Sequence, residues 1–196
     1  MQGTVRGFIA SAAFAAVLAG CAAPAPVQSP PLSFAQRGTI ALDAATIEIV
    51  DQYRPTQARP HVEHRVPTPP ALAVRQWAAE RLRAVGRTGS VQVIIRDAGI
   101  VESDLPRAEG VKSLFTNQQA QRYDGRIEVL ITGQNPAARF SGSAQAEVIR
   151  STTVAEDVSL AGREATWTTL VHQMMDDLDQ RLTQGIRDGL GPMLRR

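Results

Sequence analysis

Cysteine is almost missing from this chain: Cys21 is the only one in 196 residues. That excludes an intramolecular disulfide, a CxxC pair and a cysteine-rich zinc site. Lysine is as scarce, with Lys112 the only one among 21 basic residues. Neither sign of charge dominates, because 21 Lys and Arg stand against 19 Asp and Glu for a net charge of +2, interspersed along the chain. No nucleic-acid tract is expected from that pattern. GxSxG, GxGxxG and GxxxxGK are all absent, so hydrolase, dinucleotide and P-loop chemistry have no footing. The expectation is a non-enzyme without a cofactor. With 43% hydrophobic, 20% charged and 5% aromatic residues, the composition is that of one globular domain plus a short extra segment, neither disordered nor collagen-like.

What is present starts at the N-terminus. Residues 1–21 read MQGTVRGFIASAAFAAVLAGC, in which Arg6 precedes an apolar, Ala-rich stretch from Gly7 to Gly20. The stretch fits a signal-peptide core of roughly 7–15 residues and is too short for the ~20 residues of a transmembrane helix. Its end, Leu18-Ala19-Gly20-Cys21, resembles the lipobox of bacterial lipoproteins, which implies lipidation of Cys21 and removal of residues 1–20. A plain secretory signal with a chance cysteine is the alternative. Each buried acyl CH₂ contributes about 0.8 kcal/mol, so two or more chains hold a protein permanently at a bilayer. Ala22 after the cysteine, by resemblance to enterobacterial sorting, favours the outer membrane, facing the periplasm. The following AAPAPVQSPPLS is too Pro-rich to pack; residues 21–33 read as a lipidated tether that reaches up to roughly 35 Å. A proline-motif ligand is the other reading of that segment.

From Phe34 to Arg196 the chain suffices for one domain burying about two-thirds of its unfolded surface. Ile47, Ile49 and Val50 place a first strand near 46–51, with an edge piece at Ile40-Ala41-Leu42 before it. Thr68-Pro69-Pro70, then Val74, Trp77, Ala78, Leu82 and Val85, predict a helix over about 69–85. Val91, Val93 and Ile95 open a second strand near 90, continuing through Ile100 and Val101 past an irregularity at Ala98-Gly99. Tyr123, Gly125, Ile127, Val129 and Ile131 alternate with Arg122, Asp124, Arg126 and Glu128 in a third strand. A turn around Gly133–Pro136 leads to a fourth near 138–150, in which Gly142, Ala144 and Ala146 would let a helix come close. Over about 159–190, Leu160, Trp167, Leu170, Val171, Met174, Met175, Leu178, Leu182 and Ile186 lie within an arc of about 160° on a helix, with Ser159 as N-cap. The fold class is therefore α+β in the order β-α-β-β-β-α. An antiparallel-rich sheet of about four strands carries both helices on one face and leaves the other face polar and open to a partner.

That order resembles small envelope lipoproteins of the YajG-like and ABC-transport auxiliary kinds and, more distantly, the lipopolysaccharide-assembly lipoprotein. PHVEHRVPTPP followed by RQWAAERL, and later SLFTNQQAQRYDGRIEV, is similar to a group of uncharacterised alphaproteobacterial lipoproteins. The resemblance implies a lipoprotein fold and a non-catalytic role, and it carries over no functional residue except Cys21.

The remaining candidates each have a plain structural alternative. His61, Glu63 and His64 offer metal-type donors, but between Pro60 and Pro67 they read as extended loop, with i and i+3 diverging and no third ligand in view; no metal site is expected. Asp176, Asp177 and Asp179 fall off the apolar arc and read as a solvated face with ordinary acidity. Gly185-Ile186-Arg187-Asp188-Gly189 reads as close packing on the sheet, since the helix is too charged for lipid. In the long polar connection Asp104–Gln118, Val111, Leu114 and Phe115 form one apolar helical turn. It either caps the open end of the sheet or forms a contact surface for a partner or the lipid head-group region. The expected function is an accessory or adaptor of an envelope transport or assembly complex, anchored to the membrane by lipid and bound to an envelope protein. The alternative is a carrier for a lipid or other amphiphile, with Met174 and Met175 either lining its slot or filling an ordinary core.

Overall fold

The computed structural model describes residues 31–106 and 118–195. In chain order the elements are β1 (Ile40–Leu42), β2 (Thr46–Asp51), α1 (Pro70–Arg81), β3 (Leu82–Ala84), β4 (Ser90–Asp104), β5 (Gln119–Asn135), β6 (Phe140–Ala155), α2 (Leu160–Gly189) and β7 (Leu194–Arg195). The main sheet runs β2-β4-β5-β6. β2 and β4 are parallel, as the crossover through α1 allows, whereas β4, β5 and β6 form antiparallel pairs. The α+β class and the two-helix layer follow the sequence pattern. The edge piece at Ile40–Leu42 is instead the centre of a second, three-stranded sheet, β3-β1-β7.

Alternation builds the core. Tyr123, Ile127, Val129 and Ile131 of β5 are fully buried, as are Val93 and Ile95 of β4. The irregularity in β4 falls between Ile95 and Asp97, before the expected Ala98-Gly99. One extra residue there switches the inward positions from odd to even numbers, so Ala98 and Ile100 point into the core. The turn after β5 also lies later than expected, as a 3-10 turn over Pro136–Ala138 capped by the Asn135 side chain.

Helix α1 ends four residues before the expected 85. Leu82 enters β3, which pairs in parallel with β1, and Val85 is exposed. Periodicity cannot separate these outcomes, because Leu82 is buried in either. After β3, Gly86 turns against Asp43 and Ala44 so tightly that no side chain would fit.

Helix α2 begins at the Ser159 cap, whose Oγ accepts from Gly162 N at 3.1 Å. Its predicted apolar arc is buried except for Leu160, 67% exposed in the first turn. The small residues serve as expected, since a Cβ on Gly142 would overlap the Gly189 carbonyl and one on Gly189 the Ser143 carbonyl. Trp77 and Trp167 both enter the core, where Trp167 meets Tyr123 edge-on at 5.5 Å. Among the described residues no helix is long and apolar enough to cross a membrane.

Candidate functional site

Leu18, Ala19, Gly20 and Cys21, and likewise Val111, Leu114 and Phe115, lie outside the described residues. The HVEH segment is only partly extended. His61 bridges to Val101 and Glu63–Arg65 form a 3-10 turn. Glu63 is buried and accepts from Tyr53 Oη at 2.6 Å and from Ile100 N at 3.2 Å; His64 is exposed. Burial and the Glu63 carboxylate together push the Tyr53 phenol well above its usual value. Among the described residues no three His, Cys, Asp or Glu side chains gather as a metal site would require. Glu63 therefore fastens the 58–66 segment to β4, aided by Val62 N to Ile100 O at 2.9 Å and Arg59 to Glu102 at 3.0 Å.

Of the three aspartates of α2, Asp176 is exposed as expected, whereas Asp177 and Asp179 correct the expectation of a solvated, unperturbed face. Asp177 takes a two-pronged hydrogen bond from Arg150 at 2.7 and 3.0 Å, which lowers its pKa. Asp179 is buried. Its Oδ1 accepts from Trp77 Nε1 and Arg81 Nε, each at 2.7 Å, and its Oδ2 from Arg37 Nη1 at 3.0 Å. Burial alone would raise its pKa, but the hydrogen bonds from Trp77, Arg37 and Arg81 prevail and lower it. A carboxylate so held is poor at proton transfer and good at holding things together. What it holds is the entry of the chain. Arg81 Nη1 donates to the carbonyls of Arg37, at 2.6 Å, and Gly38. Gln76 donates to Leu32 O at 2.5 Å, Glu80 accepts from Ser33 Oγ at 3.2 Å and from Phe34 N, and Phe34 is buried. The segment 32–38 is thus clamped to α1 and α2, on the helix side of the sheet.

The opposite face of the sheet carries mostly exposed and half-buried side chains; Tyr53 and His61 lie against it at Gly99, and the rest divides into zones along the strands. At one end Ser90, Gln92, Thr132, Gln134, Ser141 and Ser143 surround a shallow cleft of about 460 Å³. Next, Val50, Ile94 and Leu130 stand side by side across β2, β4 and β5, half-buried and turned away from the core. Beyond them Arg126 reaches Asp97, Glu128 and Glu147 at 3.0–3.5 Å, and Arg122 pairs with Asp124. Ile149 projects from this part of β6, 64% exposed. Val50, Ile94 and Leu130 thus form an apolar row inside a polar surround.

No family model matches this chain. No curated protein matches it either. Its fold is similar to the rare lipoprotein B of Shewanella oneidensis, with a TM-score of 0.38, 13% identity and coverage of 73% of this chain and 94% of that one. It is similar also to a minor lipoprotein of Acinetobacter baumannii, at 0.33 and 8% identity, covering 79% and 98%. A third likeness is to a Xanthomonas campestris protein of the family of unknown function DUF330, at 0.32 and 11%, covering 76% and 85%.

Sequence reasoning missed the clamp. On the helical wheel Asp179 and Asp177 each lie only about 20° past an edge of the apolar arc, on opposite sides, and Asp176 about 80° past it. A carboxylate so near the edge is covered once a second helix packs alongside, and that position was the available signal.

Proposed function

We propose that this protein is a lipid-anchored bacterial envelope lipoprotein, held through Cys21 at the outer membrane and facing the periplasm. It acts there as a non-enzymatic adaptor for an envelope protein. The observation that carries this reading is the placement of the chain entry. Residues 32–38 are fastened to the helix layer by Gln76, Glu80, Arg81 and Asp179, so the tether, whose last two residues Leu32 and Ser33 belong to this clamp, joins the domain on the side away from the outer sheet face. An anchor on one side leaves the Val50, Ile94 and Leu130 row and its charged margin free to meet a partner. The residues of α2 that could have done acid-base chemistry are committed to arginines instead, which supports an adaptor over an enzyme. Met174 and Met175 are fully buried, with the Met174 sulfur over Gly125. That burial supports the reading of both as filling of the helix–sheet interface.

Two measurements test the reading. Mass analysis of the native product should find the leader gone and Cys21 acylated; a free thiol would remove the anchor. Affinity purification of the tagged protein in mild detergent should return a specific envelope protein, and Leu130→Arg should release it while leaving thermal stability intact. Retention by Leu130→Arg would take the interface away from this face.

A further inference from the structure

Where the chain entry meets the end of α2, residues 37–41, Arg81, the last turns of α2 and β7 enclose a cleft of about 320 Å³. Arg37, Arg81, Arg187 and Arg195 line it, and among the described residues no acidic side chain does. Between the arginines the wall mixes hydrocarbon from Ile40, Ala41, Ile186 and Leu194 with the hydroxyls of Thr39 and Thr183. The arginines differ in what they already hold. Arg37 and Arg81 are oriented by Asp179, and Arg37 also by Asp176. Arg195 pairs with Asp43. Arg187 is exposed and makes no hydrogen bond or ion pair with a described residue. Four guanidinium groups against Asp43, Asp176 and Asp179 leave one positive charge unanswered, that of Arg187 in the cleft lining.

We propose that this cleft binds the anionic head of an amphiphile, with a phosphate or carboxylate on Arg187 beside Arg37 and Arg195 and the first carbons of the chain on Ile40 and Leu194. Guanidinium forks match either oxyanion. The side chains of Arg37 and Arg81 are already ordered by the clamp, so little freedom is lost when a ligand arrives. The inference goes beyond the adaptor reading, because it uses none of the residues of the sheet face and its test needs no partner.

The test is native mass spectrometry of the full chain released from a neutral detergent, titrated with dihexanoylphosphatidic acid, dihexanoylphosphatidylcholine or inorganic phosphate. One molecule of the phosphatidic acid should bind, at least tenfold more tightly than either of the other two. Arg187→Glu should weaken it at least tenfold, and Arg96→Glu, the same charge reversal at an exposed position of β4 outside the cleft lining, should change it less than twofold. Equal binding of the choline lipid would show that charge is not read, and equal binding of inorganic phosphate would make this a site for free anions. An Arg187→Glu protein that binds as before, or an Arg96→Glu protein that loses as much, would move binding out of the cleft; each of these outcomes overturns the proposal.

Discussion

Between the helices, Asp179 accepts from Trp77, Arg81 and Arg37 with its side chain 8% exposed, whereas on the sheet face Arg126 reaches Asp97, Glu128 and Glu147 with 49% of its side chain in water. The same two residue types meet in both places, and hydration makes the difference. Removing one member of a buried, hydrogen-bonded ion pair strands the other and costs about 3–5 kcal/mol. Exposed pairs contribute about 0–1 kcal/mol each because water and salt compete with them. The helix side therefore fixes how the chain enters the fold, while the sheet face can exchange its ion pairs for a partner's at little cost.

Four substitutions or conditions sharpen or break that contrast. The largest effect belongs to Asp179→Ala, which should lower the unfolding free energy by about 3–5 kcal/mol in denaturant titration, since it leaves Arg81 buried without its carboxylate; a loss below about 1 kcal/mol would make the clamp ornamental. Acid should act through the same residue. Its folded-state pKa is lowered, so its contribution is complete above the unfolded value of about 3.9 and disappears as pH falls through the folded value. Melting temperatures of the wild type should therefore drop below about pH 4, and those of Asp179→Asn should drop less. Ser159→Ala, which removes the cap of α2, should cost about 1 kcal/mol, measured by the same denaturant series. Smallest of all, Arg126→Ala should change stability by no more than about 0.5 kcal/mol while weakening capture of an envelope partner. A large stability loss there would erase the distinction between the two sides.

The legible parts of the fold share one property. β5 reads clearly because Tyr123, Ile127, Val129 and Ile131 bury one face against the core and water selects the other, so burial prints a period of two. α2 reads clearly for the same reason at a period of 3.6. Errors begin where a residue answers to a second neighbour. Leu82 is buried whether helix or strand, and only the pairing with β1 decides. Arg96 gives no sign of being the extra residue of a bulge, because the register of β5 defines it. The candidate site was the least legible region, since Asp179 becomes a clamp residue only when Trp77 and Arg81, far away in the chain, are brought beside it.

By itself, the sequence determined the α+β class, the core-facing sides of β5 and α2, the Ser159 cap and the small-residue contact of β6 with α2. It also determined the expectation of an acylated Cys21. These follow from local periodicity, local hydrogen bonding and short motifs. Tertiary structure alone decided that β1 leaves the main sheet, that α1 stops at Arg81, that residues 32–38 enter on the helix side, and that one aspartate among three is dehydrated. Each of those depends on which distant segment covers which surface, and the free energy of a charge or a backbone edge is set by what covers it.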